Sequence, residues 1–277
     1  MLFNSKNTYL NFVDGVGFLQ FPSLSELNFV NHAFSTRIGG VSEGAYKSMN
    51  LNYKRGDDPE KVTENYRIFC NAAGFDFDSL VSSSQDHNTF VRKVTRADCG
   101  IGITRPHDIA SVDALVTDEP GVTLVTHYAD CTPILFADPD KKVIALAHAG
   151  WRGTVGKIGE AVVEKMEEDY GCDPTDIIAV VGPAIGECCY EVDTPVYEQF
   201  ASLTELKPAY FTKSLGSGKY IINLKEVNRR MLMEAGLLSI NITISDVCTK
   251  CNSGLLFSHR AHGAQRGGLI AMMSIKE

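Results

Sequence analysis

The sequence predicts an α+β fold, in which one domain of mixed β-sheets packed together is flanked by helices. Apolar runs of strand length cluster between residues 112 and 147 instead of alternating regularly with helices. Several other segments carry the start and stop signals of helices. No linker, repeat or low-complexity stretch divides the 277 residues, so we expect a single domain spanning residues 1–277.

The first half of the chain combines one helix with several strands. A short strand is predicted in "LNFVNHAF", followed by a polar loop that contains Arg37, Gly39 and Gly40. A helix is predicted between Asp58, which can cap its start, and Gly74, which ends it. The predicted sheet region follows in the β-rich runs "DSLVSSSQDH", "DALVTD", "VTLVTHYAD", "PILFAD" and "KKVIALAHAG".

The second half mixes helices and strands. A helix from Thr154 to about Tyr170 leads to the buried strand "DIIAVVGPAIG" and a short helix in "PVYEQFASL". An amphipathic helix in "NLKEVNRRMLMEAG" ends at Gly236. The strands "INITISD" and "GGLIAMMSI" come last, and this order favours a mixed sheet.

Composition limits the classes of partner and the compartment. A formal charge of −8 argues against the basic surface that nucleic acids or anionic membranes require, so we expect a small-molecule substrate, no nucleic acid and no membrane. The N-terminus lacks the pattern of an export signal and no apolar run has the length of a membrane span, which predicts a cytoplasmic protein. The eight cysteines are then expected to be reduced thiols.

Three potential metal ligands stand at the ends of strand-like runs: His87, Cys131 and His148. Two imidazoles and a thiolate would supply three ligands to a zinc ion and leave a fourth position for water or substrate, as in catalytic zinc sites. The alternative is a buried cysteine with two hydrogen-bonded histidines, and spacing does not decide between them. These residues are the candidate metal ligands and the candidate catalytic residues.

Two arginines stand in glycine-rich segments that suit an anion such as phosphate. In "HAGWRGTVGK", Gly150 and Gly153 permit a tight turn, the following helix begins with unpaired N–H groups, and Arg152 offers a forked donor. Arg37 in "STRIGG" has a similar setting. The alternative for each is a solvated arginine beside a structural turn.

A further group near the C-terminus combines Cys-x2-Cys with His-x2-His: Cys248, Cys251, His259 and His262. The seven residues between the second cysteine and the first histidine are fewer than in zinc fingers, so the spacing argues against a structural zinc site there. The vicinal cysteines of "GECCYEV" lack a Cys-x2-Cys motif and are interpreted as having no redox role.

Five motifs together resemble the YlmD/YfiH laccase-domain family: "FSTRIGGVSEGAYKSMNL", "GDDPEKVTENY", "ADCTPILFAD", "AHAGWRGTV" and "GPAIGECCYEV". The resemblance runs from about Asn31 to the C-terminus. It implies that the histidine of Gln-x-His, the cysteine of Asp-Cys and the histidine of His-Ala-Gly-Trp-Arg-Gly bind the metal, and these are His87, Cys131 and His148 here. The chain departs from the family at Asn88, where a glycine is usual, and in the tail "FSHRAHGAQRGG".

The resemblance also implies an activity. Members were formerly called multicopper polyphenol oxidases and are now regarded as purine nucleoside phosphorylases, which implies Zn2+, with Cu2+ as an alternative metal at the same site. The implied reaction splits adenosine, inosine and methylthioadenosine with phosphate into base and ribose 1-phosphate or its methylthio analogue. Adenosine deamination is implied as a further activity and a monomer as the oligomeric state. Arg37 and Arg152 would then bind and orient the phosphate.

Two other functions stay open at the level of sequence. A copper-binding polyphenol oxidase of the laccase type would need His-x-His pairs for a trinuclear cluster, and the chain contains none. A metal-independent hydrolase could use Cys131 as nucleophile and His148 as base. The three functions differ in their response to removal of metal.

Overall fold

Fifteen β-strands and seven α-helices form the part of the chain that the computed structural model describes, residues 5–108 and 110–276. The strands are β1 (Tyr9–Val13), β2 (Val16–Gln20), β3 (Val30–Ser35), β4 (Leu80–Ser82), β5 (Val91–Lys93), β6 (Ala114–Thr117), β7 (Thr123–Tyr128), β8 (Thr132–Asp138), β9 (Val143–Ala149), β10 (Ile178–Val181), β11 (Glu191–Asp193), β12 (Thr212–Gly216), β13 (Lys219–Ile222), β14 (Ile242–Ile244) and β15 (Leu269–Ile275). The helices are α1 (Pro22–Ser25), α2 (Pro59–Ala73), α3 (Trp151–Val155), α4 (Ile158–Tyr170), α5 (Thr194–Ala201), α6 (Leu224–Glu234) and α7 (His259–His262).

The strands form two mixed six-stranded sheets and one small antiparallel sheet. The first sheet has the order β1-β2-β3-β15-β7-β4, and only β4 and β7 run parallel in it. The second has the order β14-β10-β8-β9-β6-β5, with parallel pairs at both edges. The third has the order β11-β13-β12. The predicted α+β class with mixed sheets is therefore confirmed.

The two large sheets pack face to face, and helices cover their outer faces. One core cluster joins Leu124 of β7 to Leu146 of β9, so it lies between the sheets. Ala145 and Ala147, on the other face of β9, pack with Met166 of α4. Helix α2 covers the outer face of the first sheet. Central strands buried on both faces explain why the sequence shows continuous apolar runs there rather than alternation.

Helix boundaries follow local signals at α2 and depart from them at α4. The Asp58 side chain accepts a hydrogen bond from the backbone N–H of Glu60, and Gly74 ends α2 at a φ of 72°. The single helix predicted from Thr154 to Tyr170 is wrong: the chain breaks between α3 and α4, where Lys157 has a φ of 67°. Apolar spacing continues across this break, so periodicity alone could not reveal it.

Two other elements carry no strong signal in the sequence. The hairpin β1–β2 and the small third sheet were not predicted. Strand β1 and the strands of the third sheet are short and mostly exposed or half-buried, whereas β2 is short but buried. Among the described residues, no helix has both the length and the apolar character needed to cross a membrane.

Candidate metal centre

The ends of the large sheets bring His87, Cys131 and His148 together. His148 lies in β9 one residue before its end, Cys131 lies in the turn between β7 and β8, and His87 lies in a turn after β4. Their ligand atoms all lie within 4.8 Å of one another. Strand β4 already ends at Ser82, so His87 occupies a turn, with a φ of 73°, rather than the predicted strand end.

Asp113, directly before β6, organises two of the three side chains. Its carboxylate is fully buried and accepts a hydrogen bond from the Nδ1 of His148 at 2.7 Å. The same carboxylate accepts the backbone N–H groups of Asp86, His87 and Asn88 at 2.9–3.1 Å. This bond directs the Nε2 of His148 toward the ligand group, and the three amides hold the turn that carries His87.

Asn88, where the chain departs from the family pattern, forms side-chain hydrogen bonds that stabilise the turn that carries His87. Its side-chain amide donates to Asp86 at 2.7 Å and to the carbonyl of Ser111 at 2.6 Å, and its oxygen accepts the N–H of Phe90. The substitution therefore leaves the His87 turn intact and adds side-chain hydrogen bonds to it.

Electrostatics favour an ionised thiol at this position. Burial by itself raises the pKa of Cys131, but the imidazoles of His148 and His87 outweigh burial and lower it to about 6. Burial likewise opposes protonation of His148, but the Cys131 thiolate and the Asp113 carboxylate raise its pKa to about 9. A thiolate is the form of cysteine that binds metals.

Gly150 leaves the space that the ligands occupy. A Cβ at this position would lie 2.4 Å from the Nδ1 of His87 and 3.3 Å from the Sγ of Cys131. Its φ of −65° is ordinary, so a glycine is required here by close approach and not by backbone conformation.

The donor set fits a zinc ion. Around a tetrahedral zinc with bonds of about 2.0–2.3 Å, ligand atoms lie about 3.3–3.8 Å apart. The two nitrogens and the sulfur here all lie within 4.8 Å of one another, which is close to the size that one ion needs. Three protein ligands would leave a position open, and all three residues line one large cavity. The same donors also suit Cu2+, so they indicate a metal without choosing between the two.

The cavity beside the three ligands has a volume of about 770 Å³. This size is typical of pockets that enclose a small organic ligand. Aromatic and polar side chains line it together: Tyr53, Tyr128, Trp151, Tyr190, Asn52, Ser83, Ser84 and Gln85. Aromatic rings can stack on a flat heterocycle, while the polar groups can bind hydroxyls.

Four cationic side chains also line this cavity: Lys54, Arg55, Arg260 and Arg266. Arg266 is only 4% exposed, its Nε has no hydrogen-bond partner among the described residues, and its Nη1 donates to the carbonyl of Gly267. Burial first, and then the charge of Arg55, lower its pKa to about 10, so it stays protonated at neutral pH. A buried cation with an unused donor is suited to an anionic ligand.

The two arginines predicted to bind phosphate have other contacts. The guanidinium of Arg37 donates to the carbonyls of Lys47 and Ser253 and lies 4.6 Å from the ring centre of Phe257. Arg152 lies over the ring of its neighbour Trp151. Neither is among the residues that line the cavity, whereas Trp151 is.

The turn that carries Cys131 is anchored from the C-terminal part of the chain. Asp130 has a φ of 89°, and its carboxylate accepts the Thr249 hydroxyl at 2.5 Å and the N–H of Arg260 at 2.7 Å. Its carbonyl accepts the N–H of Ile185 at 3.0 Å. These bonds hold a backbone conformation that a residue with a Cβ adopts only at a cost.

Cys248, Cys251, His259 and His262 do not assemble as four ligands, as their spacing indicated. His259 lines the cavity, and the imidazole of His262 contacts Arg37 and Ser258. The two cysteines instead lie beside the vicinal pair Cys188 and Cys189, whose sequence pattern alone gives no signal of a metal site.

Sequence reasoning missed Asp113 and Arg266. A lone aspartate before a buried strand, in "VDALV", is a weak signal for a residue that orients a metal ligand. Arg266 stands in a tail whose pattern departs from the family, and only packing reveals that it is buried.

Comparisons with known proteins agree with this architecture. A model of the family described as "Multi-copper polyphenol oxidoreductase laccase" matches residues 31–276. The protein "Purine nucleoside phosphorylase YlmD" of Bacillus subtilis is 35% identical over 245 residues, 88% of each chain. "Adenosine deaminase RL5", from an unknown prokaryotic organism, is 35% identical over 243 residues, which are 85% of this chain and 90% of that protein. The crystal structure of Bacillus licheniformis YfiH superposes with a TM-score of 0.90 at 32% identity, covering 96% of this chain and 99% of that one.

Proposed function

We propose that this chain is a zinc-dependent purine nucleoside phosphorylase. It belongs to the multi-copper polyphenol oxidoreductase laccase family, and relatives of it are named purine nucleoside phosphorylase. The proposed substrates are adenosine, inosine and methylthioadenosine, and the products are the free base and ribose 1-phosphate or its methylthio analogue. The observation that carries the proposal is the group His87, Cys131 and His148, which opens on a cavity lined by aromatic rings and by the buried Arg266, whose Nε has no hydrogen-bond partner among the described residues.

His87, Cys131 and His148 would hold the zinc ion, and Asp113 would keep the imidazole of His148 oriented. A bound zinc ion supplies a Lewis acid that polarises a substrate hydroxyl or activates water. The rings of Tyr53 and Trp151 offer faces on which a purine can stack. The zinc site would thus bind the sugar of the nucleoside, and the rings of Tyr53 and Trp151 would bind its base.

The four cationic side chains that line the cavity would bind phosphate. In phosphorolysis an oxygen of phosphate forms the new bond to ribose C1′ while the bond from C1′ to the purine nitrogen breaks, and the electron pair leaves with the base, which takes up a proton. Arg266, with support from Arg55 and Arg260, would neutralise and orient the attacking phosphate. Arg37 and Arg152 stay predicted phosphate ligands, and their present contacts make Arg266 the stronger candidate.

Analysis of products tests the reaction. The zinc-loaded protein is incubated with adenosine, with and without phosphate, and after removal of metal by a chelator. We expect adenine and ribose 1-phosphate only when both phosphate and metal are present. Activity that survives chelation would instead support the metal-independent hydrolase that uses Cys131 and His148, and adenosine left intact in every reaction would refute a nucleoside enzyme.

Substitution of Arg266 tests the phosphate site. Arg266→Gln removes a charge-assisted contact worth about 1.5–3 kcal/mol, so we expect the KM for phosphate to rise about 10- to 100-fold while the KM for adenosine changes little. Arg37→Gln and Arg152→Gln are measured in parallel. Arg96→Gln serves as a control, because the Arg96 guanidinium donates to the carbonyl of Pro120 and does not line the cavity. An effect confined to Arg37→Gln or Arg152→Gln would move the site to that arginine.

Adenosine deamination is the second candidate activity, favoured by the relative named adenosine deaminase. The reaction replaces the 6-amino group by the oxygen of water and releases ammonia. Inosine formed from adenosine equally with and without phosphate would establish it. Copper found in place of zinc, together with oxidation of phenols, would favour the polyphenol oxidase alternative.

A further inference from the structure

Four cysteines outside the metal centre described above converge on one point: Cys188, Cys189, Cys248 and Cys251. Their Sγ atoms all lie within 4.8 Å of one another. The Sγ of Cys251 lies 3.5 Å from that of Cys188 and 3.5 Å from that of Cys189. All four are free thiols. They come from two loops that are about sixty residues apart in the chain and follow β10 and β14.

We propose that these four cysteines bind a structural zinc ion as thiolates. Around a tetrahedral zinc with Zn–S bonds of about 2.3 Å, sulfur atoms lie about 3.8 Å apart. The two distances of 3.5 Å are close to that spacing and all the others are within 4.8 Å, whereas a disulfide needs about 2.05 Å between its sulfurs. Binding would release the four thiol protons to solvent as four Zn–S bonds form.

The backbone around Cys248 is arranged for a thiolate. Its sulfur accepts the N–H of Gly186 at 3.2 Å and also a backbone N–H from Cys251. A Cβ at position 186 would lie 3.2 Å from the Cβ of Cys248 and 3.5 Å from its sulfur, so the glycine lets the two loops approach closely. Backbone N–H groups that point at a sulfur stabilise negative charge there.

A buried lysine complements the charge of the proposed centre. Four thiolates and one Zn2+ carry a net charge of −2. Lys225 is 6% exposed, its ammonium donates to the carbonyls of Ser245 and Val247 at 2.7 and 2.8 Å, and its charge interacts with Cys248 and Cys188. A buried ammonium beside a doubly negative centre is favourable, because each compensates the desolvation of the other.

The centre would fix one wall of the substrate cavity. Tyr190, which follows Cys189, lines that cavity, and the Arg260 guanidinium donates to the carbonyl of Cys189. Thr249, next to Cys248, binds the Asp130 carboxylate beside the metal ligand Cys131. With four protein ligands and no open position, the proposed centre is structural rather than catalytic.

Metal analysis of the full-length protein tests the proposal without reference to activity. The double variant C188S/C251S changes two exposed cysteines. We expect it to contain one zinc ion fewer per chain than the wild type after both are equilibrated with Zn2+ alone. Cys99→Ser is the control, because Cys99 is a half-buried thiol outside both groups. Unchanged zinc content in the double variant would overturn the proposal.

A second variant covers the case in which the double variant does not fold. Cys131→Ala removes a ligand of the other site, so the zinc that remains should belong to the four cysteines. We expect X-ray absorption of that zinc to show four sulfur ligands, and Co2+ loaded in its place to give the charge-transfer and d–d bands of a tetrahedral thiolate site. No bound metal, a disulfide detected by thiol counting, or an iron–sulfur absorption spectrum would each overturn the assignment of zinc.

Discussion

Asp113 shows how one buried side chain can hold other residues of a site in position. Its carboxylate accepts four hydrogen bonds, one from His148 and three from the backbone of the His87 turn. A carboxylate without partners would be costly in this fully buried position. The same four bonds that satisfy its charge also set the positions of two candidate metal ligands.

Asp113→Asn should weaken zinc binding at this centre. The amide has similar size but no charge and only one acceptor oxygen, so His148 or the turn loses its partner. We expect a loss of about 10- to 100-fold in zinc affinity, measured by competition with a chromophoric chelator. Asp140→Asn is the control, since the Asp140 side chain is 71% exposed. Equal affinities in the two variants would show that Asp113 does not orient the ligands.

His32 makes the stability of the protein sensitive to acid. Its Nε2 accepts the backbone N–H of Phe21 at 2.9 Å, and burial, with a smaller effect of Lys276, lowers its pKa to about 3. In the unfolded chain, His32 therefore takes up a proton near pH 6.5, whereas in the folded protein it takes up this proton only near pH 3. The contribution of His32 to the free energy of unfolding is fully present above pH 6.5 and is lost as the pH falls toward 3.

His32→Gln should reduce this dependence. The glutamine oxygen can still accept a hydrogen bond but does not titrate. In the wild type, His32 should lower the free energy of unfolding by about 2 kcal/mol between pH 7 and pH 5. Urea denaturation of both proteins at the two pH values measures the difference. His127 is half-buried, its pKa is also lowered to about 3, and it stays in both proteins, so identical pH slopes would mean that His32 is not the titrating group.

At the scale of elements, local chemistry defines α2 but not the break between α3 and α4. Asp58, Pro59 and Gly74 are read directly from sequence as start and stop signals, and the helix begins and ends with them. Lys157 has no such signal, yet its φ of 67° places it in the left-handed region, and its ammonium forms ion pairs with Glu160 and Glu205 at 3.1 and 3.4 Å. Apolar periodicity therefore does not reveal where the helix breaks.

The cap of α2 can be tested with a matched pair of variants. Asp58→Ala removes the oxygen that accepts the N–H of Glu60 at 2.9 Å, and should cost about 1 kcal/mol of unfolding free energy. Asp58→Asn keeps an equivalent acceptor and should cost much less. Thermal and urea unfolding of both variants measure the effect. Equal destabilisation by the two substitutions would assign the effect to charge rather than to capping.

At the scale of the whole molecule, the interface between the two large sheets is the core that positions the candidate metal centre. His148 is in β9, whose Leu146 packs between the sheets and is fully buried. Leu146→Ala should lower the free energy of unfolding by about 2–5 kcal/mol, measured by urea denaturation. Leu215→Ala, at a position 50% exposed, should change it by less than about 0.5 kcal/mol. Comparable losses at both positions would contradict this description of the core.

The sequence by itself determined the elements whose causes are local. Caps and glycines define α2, continuous apolar runs define the central strands β6 to β9, and chemistry of residue type singled out His87, Cys131 and His148. These features depend on a few neighbouring residues or on the known donor properties of a side chain, and both can be read along the chain.

Only the tertiary structure decided what depends on distant segments meeting. It brought Asp113 beneath two candidate ligands, buried Arg266 against the cavity, and joined Cys188 and Cys189 to the Cys-x2-Cys segment. It also turned Arg37 toward backbone carbonyls of other loops. Such contacts arise when packed sheets and loops bring together residues far apart in the chain, and no periodicity or spacing in the sequence records where the loops meet.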